Sequence, residues 1–111
     1  MSAVTEEEYE RVAPVALAAL LAALDELGED VDPELASDVL TIEFSDGARY
    51  VVNSHRAARQ IWLAAGTRAW HFDYDPGSER WVVGRTGEEL WAVLSQQLAG
   101  KLGRDVRLAM P

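Results

Sequence analysis

Six carboxylates within ten positions, Asp25, Glu26, Glu29, Asp30, Asp32 and Glu34, are the densest group of chemically capable side chains in this chain. Carboxylates are hard oxygen donors, suited to ferric iron, acceptable to ferrous iron and equally open to Ca²⁺, Mg²⁺ and Mn²⁺. No cysteine is present and there are only two histidines, so softer ligands that would sharpen selectivity are scarce, and thiolate chemistry and disulfides are excluded. Weak cation binding at several solvated places is the physical expectation.

The acids compete with a purely structural explanation, which differs from site to site. Glu6, Glu7 and Glu8 fall in a first helical turn, where the macrodipole stabilises negative charge. Asp32 and Glu34 belong to an Asp-Pro-Glu string that can cap and begin a helical turn. Asp25, Glu26, Glu29 and Asp30 have neither excuse: they gather at the C-terminal end of the first helix, where the dipole disfavours them and they repel one another. A cluster that costs local stability points to binding.

A second group belongs to the β-rich middle of the chain. If Ile61 and Leu63 face the core, alternation puts Gln60, Trp62 and Ala64 on the opposite face. A Trp at such a place more commonly packs beneath a loop or against a cross-strand neighbour, but a Trp in water with Asn53 and Arg59 has the composition of a protein-binding hot spot. Arg49, Arg56, Arg59 and Arg68 could add a basic side. His71 should share the open face with Asp73, whereas His55 reads as a loop residue. No phosphate-binding glycine loop, nucleophile elbow or triad is recognisable, and no catalytic residue is assigned.

Net charge restricts the partners. Of the overall −9, residues 1–38 hold eleven acids and one base, a net −10, while the remaining residues hold eight acids and nine bases. Such a field repels phosphate backbones and anionic lipid and attracts cations or basic protein surfaces. Nucleic acid and membrane are therefore not expected as partners. The longest apolar run, Val12 to Leu24, is too short to span a bilayer and the acidic start is unlike a targeting segment, so a cytoplasmic protein is expected.

The elements that must position these groups follow from periodicity. Thr5-Glu6-Glu7-Glu8 reads as a capping box, followed by apolar residues at helical spacing from Tyr9 to Leu27, with Gly28 as the stop and a bend at Pro14. Val39–Phe44 and Arg49–Ser54, joined by Ser45-Asp46-Gly47, form a hairpin. Strands follow at Gln60–Ala64, Ala69–Tyr74 and Arg80–Val83. A second capping box, Thr86-Gly87-Glu88-Glu89, opens a closing helix ended by Gly100 or Gly103, and Val106–Met110 adds an edge strand or a covering tail. The expected fold is one α+β domain over residues 1–111, a two-layer sandwich with both helices on one face of an antiparallel sheet.

These motifs, taken in order, resemble the frataxins, especially the bacterial CyaY type. The matching segments are Asp30-Val-Asp-Pro-Glu34, Val39-Leu-Thr-Ile-Glu-Phe44, Asn53 with Gln60-Ile-Trp-Leu-Ala64, Trp70-His-Phe-Asp73, Trp81, and Arg85-Thr-Gly-Glu88 leading into Leu90-Trp91. The resemblance covers roughly Tyr9 to Leu108. It implies iron (Fe²⁺ or Fe³⁺) bound weakly by exposed carboxylates, with no organic cofactor. It also implies contact with the cysteine desulfurase and scaffold of iron–sulfur cluster assembly, with Asn53, Gln60 and Trp62 marked for the scaffold, and modulation of that machinery according to iron supply. The chain departs from the family pattern at Leu21, Ala22 and Ala23, where many relatives carry further carboxylates, in a short linker and at Pro14. Three functions compete: an iron-dependent modulator or donor, a ferroxidase or iron-storage protein, and a metal-free acidic adaptor. The Glu-x-x-His pairs of ferritin-like bundles are missing, so a non-enzymatic role is expected, in a monomer or in an oligomer formed with iron.

Overall fold

The computed structural model describes residues 4–110; residues 1–3 and 111 lie outside the described part. Its order is helix α1 (Glu6–Asp25), strands β1 (Val31–Ala36), β2 (Val39–Phe44), β3 (Arg49–His55), β4 (Gln60–Ala65), β5 (Arg68–Asp75) and β6 (Arg80–Val82), then helix α2 (Leu90–Leu102). The six strands form one sheet in sequence order, antiparallel at every pairing. Short connections leave no room for crossovers, and this order follows. Both helices cover one face, as the α+β reading requires.

Helix α1 starts as its sequence dictates: the Thr5 hydroxyl accepts from the Glu8 amide at 3.1 Å. Tyr9, Ala13, Leu17, Leu20 and Leu24 form its buried stripe. Pro14 does not split it, because Pro14 is on the exposed side, where the Glu10 carbonyl deprived of its donor can be met by water. The helix ends at Asp25, ahead of the expected stop; Gly28, at φ 75°, opens a 3-10 turn over Gly28–Asp30 instead.

Two elements differ from the sequence reading. Asp32-Pro33-Glu34 is not a capped helical turn but the middle of β1, paired with β2 from Val31↔Phe44 to Ala36↔Val39. Val31, Pro33 and Leu35 turn inward by the period-two rule, and the strand is at the sheet edge, where a residue without an N–H is tolerated. The acids and the proline, all poor strand formers, hid the alternation. The second capping box is likewise displaced. Thr86 turns back on Glu88, its hydroxyl oxygen accepting from the Glu88 amide at 3.2 Å, and Glu89 caps α2 by accepting from the amides of Trp91 (2.8 Å) and Ala92 (3.2 Å).

The core lies between the helices and the inner sheet face. Leu40, Ile42, Val52, Ile61, Leu63 and Phe72 from the sheet meet Leu17, Leu20, Leu24, Leu90, Leu94 and Leu98, all at most 2 % exposed. Each such side chain contributes roughly 1.5–3 kcal/mol through burial. Among the described residues no polar or charged residue is buried. After Gly103 closes α2, the tail covers the sandwich without forming a strand: Val106 is buried and the Leu108 amide donates to Ser95 Oγ at 3.0 Å.

Candidate functional site: an acidic edge and an aromatic column

The expected cation ligands fall along one edge of the molecule. Asp25 and Glu26 end α1, Glu29 and Asp30 sit in the 3-10 turn, and Asp32 and Glu34 project from β1 on the face away from the core; all six are exposed. Five of them, Asp25, Glu26, Glu29, Asp32 and Glu34, have no ion-pair partner among the described residues. Asp30 differs, because it accepts from Arg104 just beyond α2, with Nε at 3.1 Å and Nη2 closer. The sequence reading, which found no structural reason for Asp30, is corrected on that point: a base 74 positions away supplies one.

The antiparallel register adds a carboxylate that the sequence reading passed over. Glu43 stands opposite Asp32 across β1 and β2, and Glu29, Asp32 and Glu43 line one shallow hollow of about 340 Å³ with Phe44, Ser45 and Gly47. Glu43 is held at 3.4 Å by Arg49. Only strand pairing brings it there, and the β1 misreading concealed that pairing. Among the described residues no three His, Cys, Asp or Glu side chains converge as a group able to hold a metal ion. The donor set thus suits hard cations in partial, solvated shells rather than a closed site. A roomier cavity of about 520 Å³ lies elsewhere, between α1, the β5–β6 turn and Met110, and its rim of Glu8, Arg11, Glu79 and Arg80 contains none of these six acids.

The open sheet face carries a more ordered arrangement. The register aligns Val39, Asn53, Trp62 and His71 across four strands, and His55, Gln60, Asp73 and Val82 in the adjoining row. Trp62 is half-buried on this face, as alternation with the buried Ile61 and Leu63 requires. Its indole is sandwiched between two imidazoles: His55 stacks at 3.8 Å with 9° between ring planes, and His71 at 4.1 Å with 12°. Trp62 Nε1 donates to Gln60 Oε1 at 2.9 Å, and Gln60 Nε2 donates to Asp73 Oδ1 at 3.1 Å. Gln60 fixes the indole in plane while the imidazoles fix it from above and below. His55 is therefore the last residue of β3 and not a loop residue; its Nδ1 is buried without a hydrogen-bond partner.

The remaining expected partner residues divide. Asn53 is in the Trp62 row, but Arg59 is not on this face. Arg59 adopts φ 55° after the 3-10 turn Arg56–Ala58 and donates to the Val4 carbonyl at 3.1 Å, so it fastens the start of the chain. Nor do the arginines make a free basic side: Arg49 pairs with Glu43, Arg56 with Glu6 and Glu10, and Arg68 lies over the Trp70 ring at 4.5 Å. Near the same corner the Tyr9 hydroxyl donates to the Gln60 carbonyl at 2.8 Å, and burial raises its pKa.

A two-layer α+β sandwich with an acid-rich edge strand and a tryptophan held on its open face defines a small class of proteins. The Frataxin-like domain matches residues 2–104, and the chain belongs to the frataxin-like family. Among curated relatives, the iron–sulfur cluster assembly protein CyaY of Vibrio cholerae serotype O1 is 36% identical over 92 residues, covering 83% of this chain and 86% of its own. That of Neisseria meningitidis serogroup B is 34% identical over 105 residues, covering 95% and 96%. The solved frataxin of Psychromonas ingrahamii superposes with a TM-score of 0.83 at 25% identity, covering 96% of this chain and 99% of that one. Trimeric frataxin of the yeast Saccharomyces cerevisiae, described as complexed with ferrous, superposes at 0.70 with 29% identity, covering 94% and 91%. No helix among the described residues is long and apolar enough to cross a membrane.

Proposed function

We propose that this chain is a cytoplasmic, iron-binding accessory protein of iron–sulfur cluster assembly. It takes Fe²⁺ or Fe³⁺ as cargo, weakly, on the α1–β1 edge, and meets the cysteine desulfurase and scaffold of that machinery to modulate cluster synthesis or supply iron. The role in cluster assembly rests on family membership and on relatives that bear that function in their names. The observation that carries the iron reading is the set of five carboxylates, Asp25, Glu26, Glu29, Asp32 and Glu34, exposed on one edge with no ion-pair partner among the described residues. Of the four other acids in α1, three have an ion-pair partner, Glu6 and Glu10 sharing Arg56 and Glu8 facing Arg11.

Chemically, the edge offers oxygen donors and a negative field without fixed geometry, so a cation exchanges readily and can be passed on. Trp62, steadied by Gln60 and the two imidazoles, gives the scaffold a rigid aromatic contact with little rotamer freedom left to lose. A residue-resolved NMR titration with Fe²⁺ under anaerobic conditions tests the iron reading. Amides from Asp25 to Glu34, together with Glu43, are expected to shift or broaden, with Mn²⁺ or Ca²⁺ competing and α2 unaffected. Uniform weak shifts at all acids would reduce the edge to counterion condensation. Partner binding indifferent to chelator would leave a metal-free adaptor, and dioxygen consumption with Fe²⁺ would favour a ferroxidase.

A further inference from the structure

The two imidazoles that steady Trp62 have a property that the proposed function does not use. His55 and His71 hold the indole from both sides, and imidazole is the side chain whose charge ordinarily changes between pH 5 and 8. Their surroundings on the open face are sparse in charge. In the Trp62 row the other residues are Ala36, Val39 and Asn53; the next row beyond it holds Glu34, Thr41, Val51, Ala64 and Ala69. In the row of His55 the charged groups are Asp73, hydrogen-bonded to Gln60, and Glu89, bridged to Val82 at the far end. Beside His55 in the chain Arg56 is turned to Glu6 and Glu10 of α1, and Asp38, before β2, accepts at its carbonyl from the Ser54 amide. Adjacent Arg68 of β5 is occupied over Trp70 on the other side of the sheet. With both imidazoles neutral, the charged groups nearest the column on this face are the carboxylates of Asp73 and Glu34; one row beyond Asp73, Asp75 stands opposite Arg80, which is turned to Glu89, so the face stays net negative.

We infer that the His55–Trp62–His71 column makes docking on the open face proton-linked, a basic partner surface binding the form in which both imidazoles are neutral. The inference rests on the reading of Trp62 as the contact residue and adds how that contact is regulated. A docked surface that covers Trp62 covers both rings stacked on it. A proton on either ring would then lie desolvated against positive charge, so docking expels it, and by reciprocity protons weaken docking. A column of this kind lets acidification release the partner without moving the backbone.

The test measures the affinity of the purified desulfurase–scaffold complex for the full chain at pH 5.5, 6.5 and 7.5. Wild type is compared with Trp62→Ala, with His71→Phe, and with His55→Phe/His71→Phe, which keeps aromatic stacking but cannot take a proton. Binding is expected to tighten as pH rises from 5.5 to 7.5, by at most about tenfold per pH unit for each proton excluded. That dependence should fall in His71→Phe and flatten in the double variant, whatever its affinity at a single pH. A pH dependence identical in wild type and double variant, with Trp62→Ala still weakening binding, overturns the proton linkage and leaves the docking face intact. Binding unaffected by Trp62→Ala at every pH overturns the docking reading itself and the linkage with it. Because His71 is exposed, its single variant is expected to fold even if the double variant does not, and an unchanged pH profile there also counts against the inference.

Discussion

The acidic edge, which runs from the end of α1 through the 3-10 turn into β1, and the aromatic column on the open sheet face represent opposite ways of making a surface bind. Along the edge the carboxylates are exposed, unlinked to one another and mostly unpaired, so what they share is a field. In the column every ring has a defined neighbour: Trp62 is held by His55, His71 and Gln60, and Gln60 by Asp73. A field acts at a distance, tolerates loss of any one member and is screened by salt; a packed contact acts at short range and depends on single residues. The difference teaches where to look for function by mutation: in sums on the edge, in individual side chains on the column.

The largest effect should come from a residue next to the column that belongs to neither surface. Phe72, fully buried on β5 opposite Ile61, faces the helices, whereas its neighbour His71 faces the open side. Phe72→Ala is expected to cost about 3–5 kcal/mol in chemical denaturation, whereas Trp62→Ala should leave a folded domain. If Trp62→Ala unfolds the protein, the distinction between core and docking face fails.

Next in size, Trp62→Ala should weaken scaffold binding by about 2 kcal/mol or more, chiefly by faster dissociation. Iron binding should stay unchanged in the same variant. Surface-binding kinetics and an Fe²⁺ titration on the one variant would show whether the two surfaces are independent.

Neutralising Asp25, Glu26 and Glu29 together should slow association with a basic partner and flatten its salt dependence, with a melting temperature unchanged or raised, because repulsion and adverse dipole contacts are relieved. Asp30→Asn should act in the other direction, lowering stability by about 0.5 kcal/mol through loss of the exposed pair with Arg104. Thermal melts of the two variants separate the paired acid from the unpaired ones.

The smallest effect concerns Asp46, in the β2–β3 turn, whose carboxyl is held below its ordinary range by the Lys101 ammonium at 2.6 Å, with the Ala48 amide assisting. A lowered folded-state pKa gives stabilisation that is complete above the ordinary aspartate value and is lost as pH falls through the lowered one. In Lys101→Ala the Asp46 midpoint, followed by carboxyl NMR, should move up towards the ordinary value. An unmoved midpoint would assign the shift to the turn rather than to the contact with α2.

Local chemistry determined much of this protein. The Thr5 cap, the helical stripe from Tyr9 to Leu24 and the alternation of β2 to β5 are written in neighbouring residues, and each forms the element its spacing demands. The concentration of acid ahead of β2 and the placement of Trp62 on the open face follow by the same rules. Tertiary structure alone decided the rest. β1 becomes a strand because pairing with β2 overrides the poor strand propensity of Asp32, Pro33 and Glu34, and that pairing carries Glu43 to Asp32. Arg104 reaches Asp30, and Arg59 the Val4 carbonyl, only when distant segments meet. His55 and His71 stack on Trp62 because register across three strands, which no single segment encodes, sets their rings on one column.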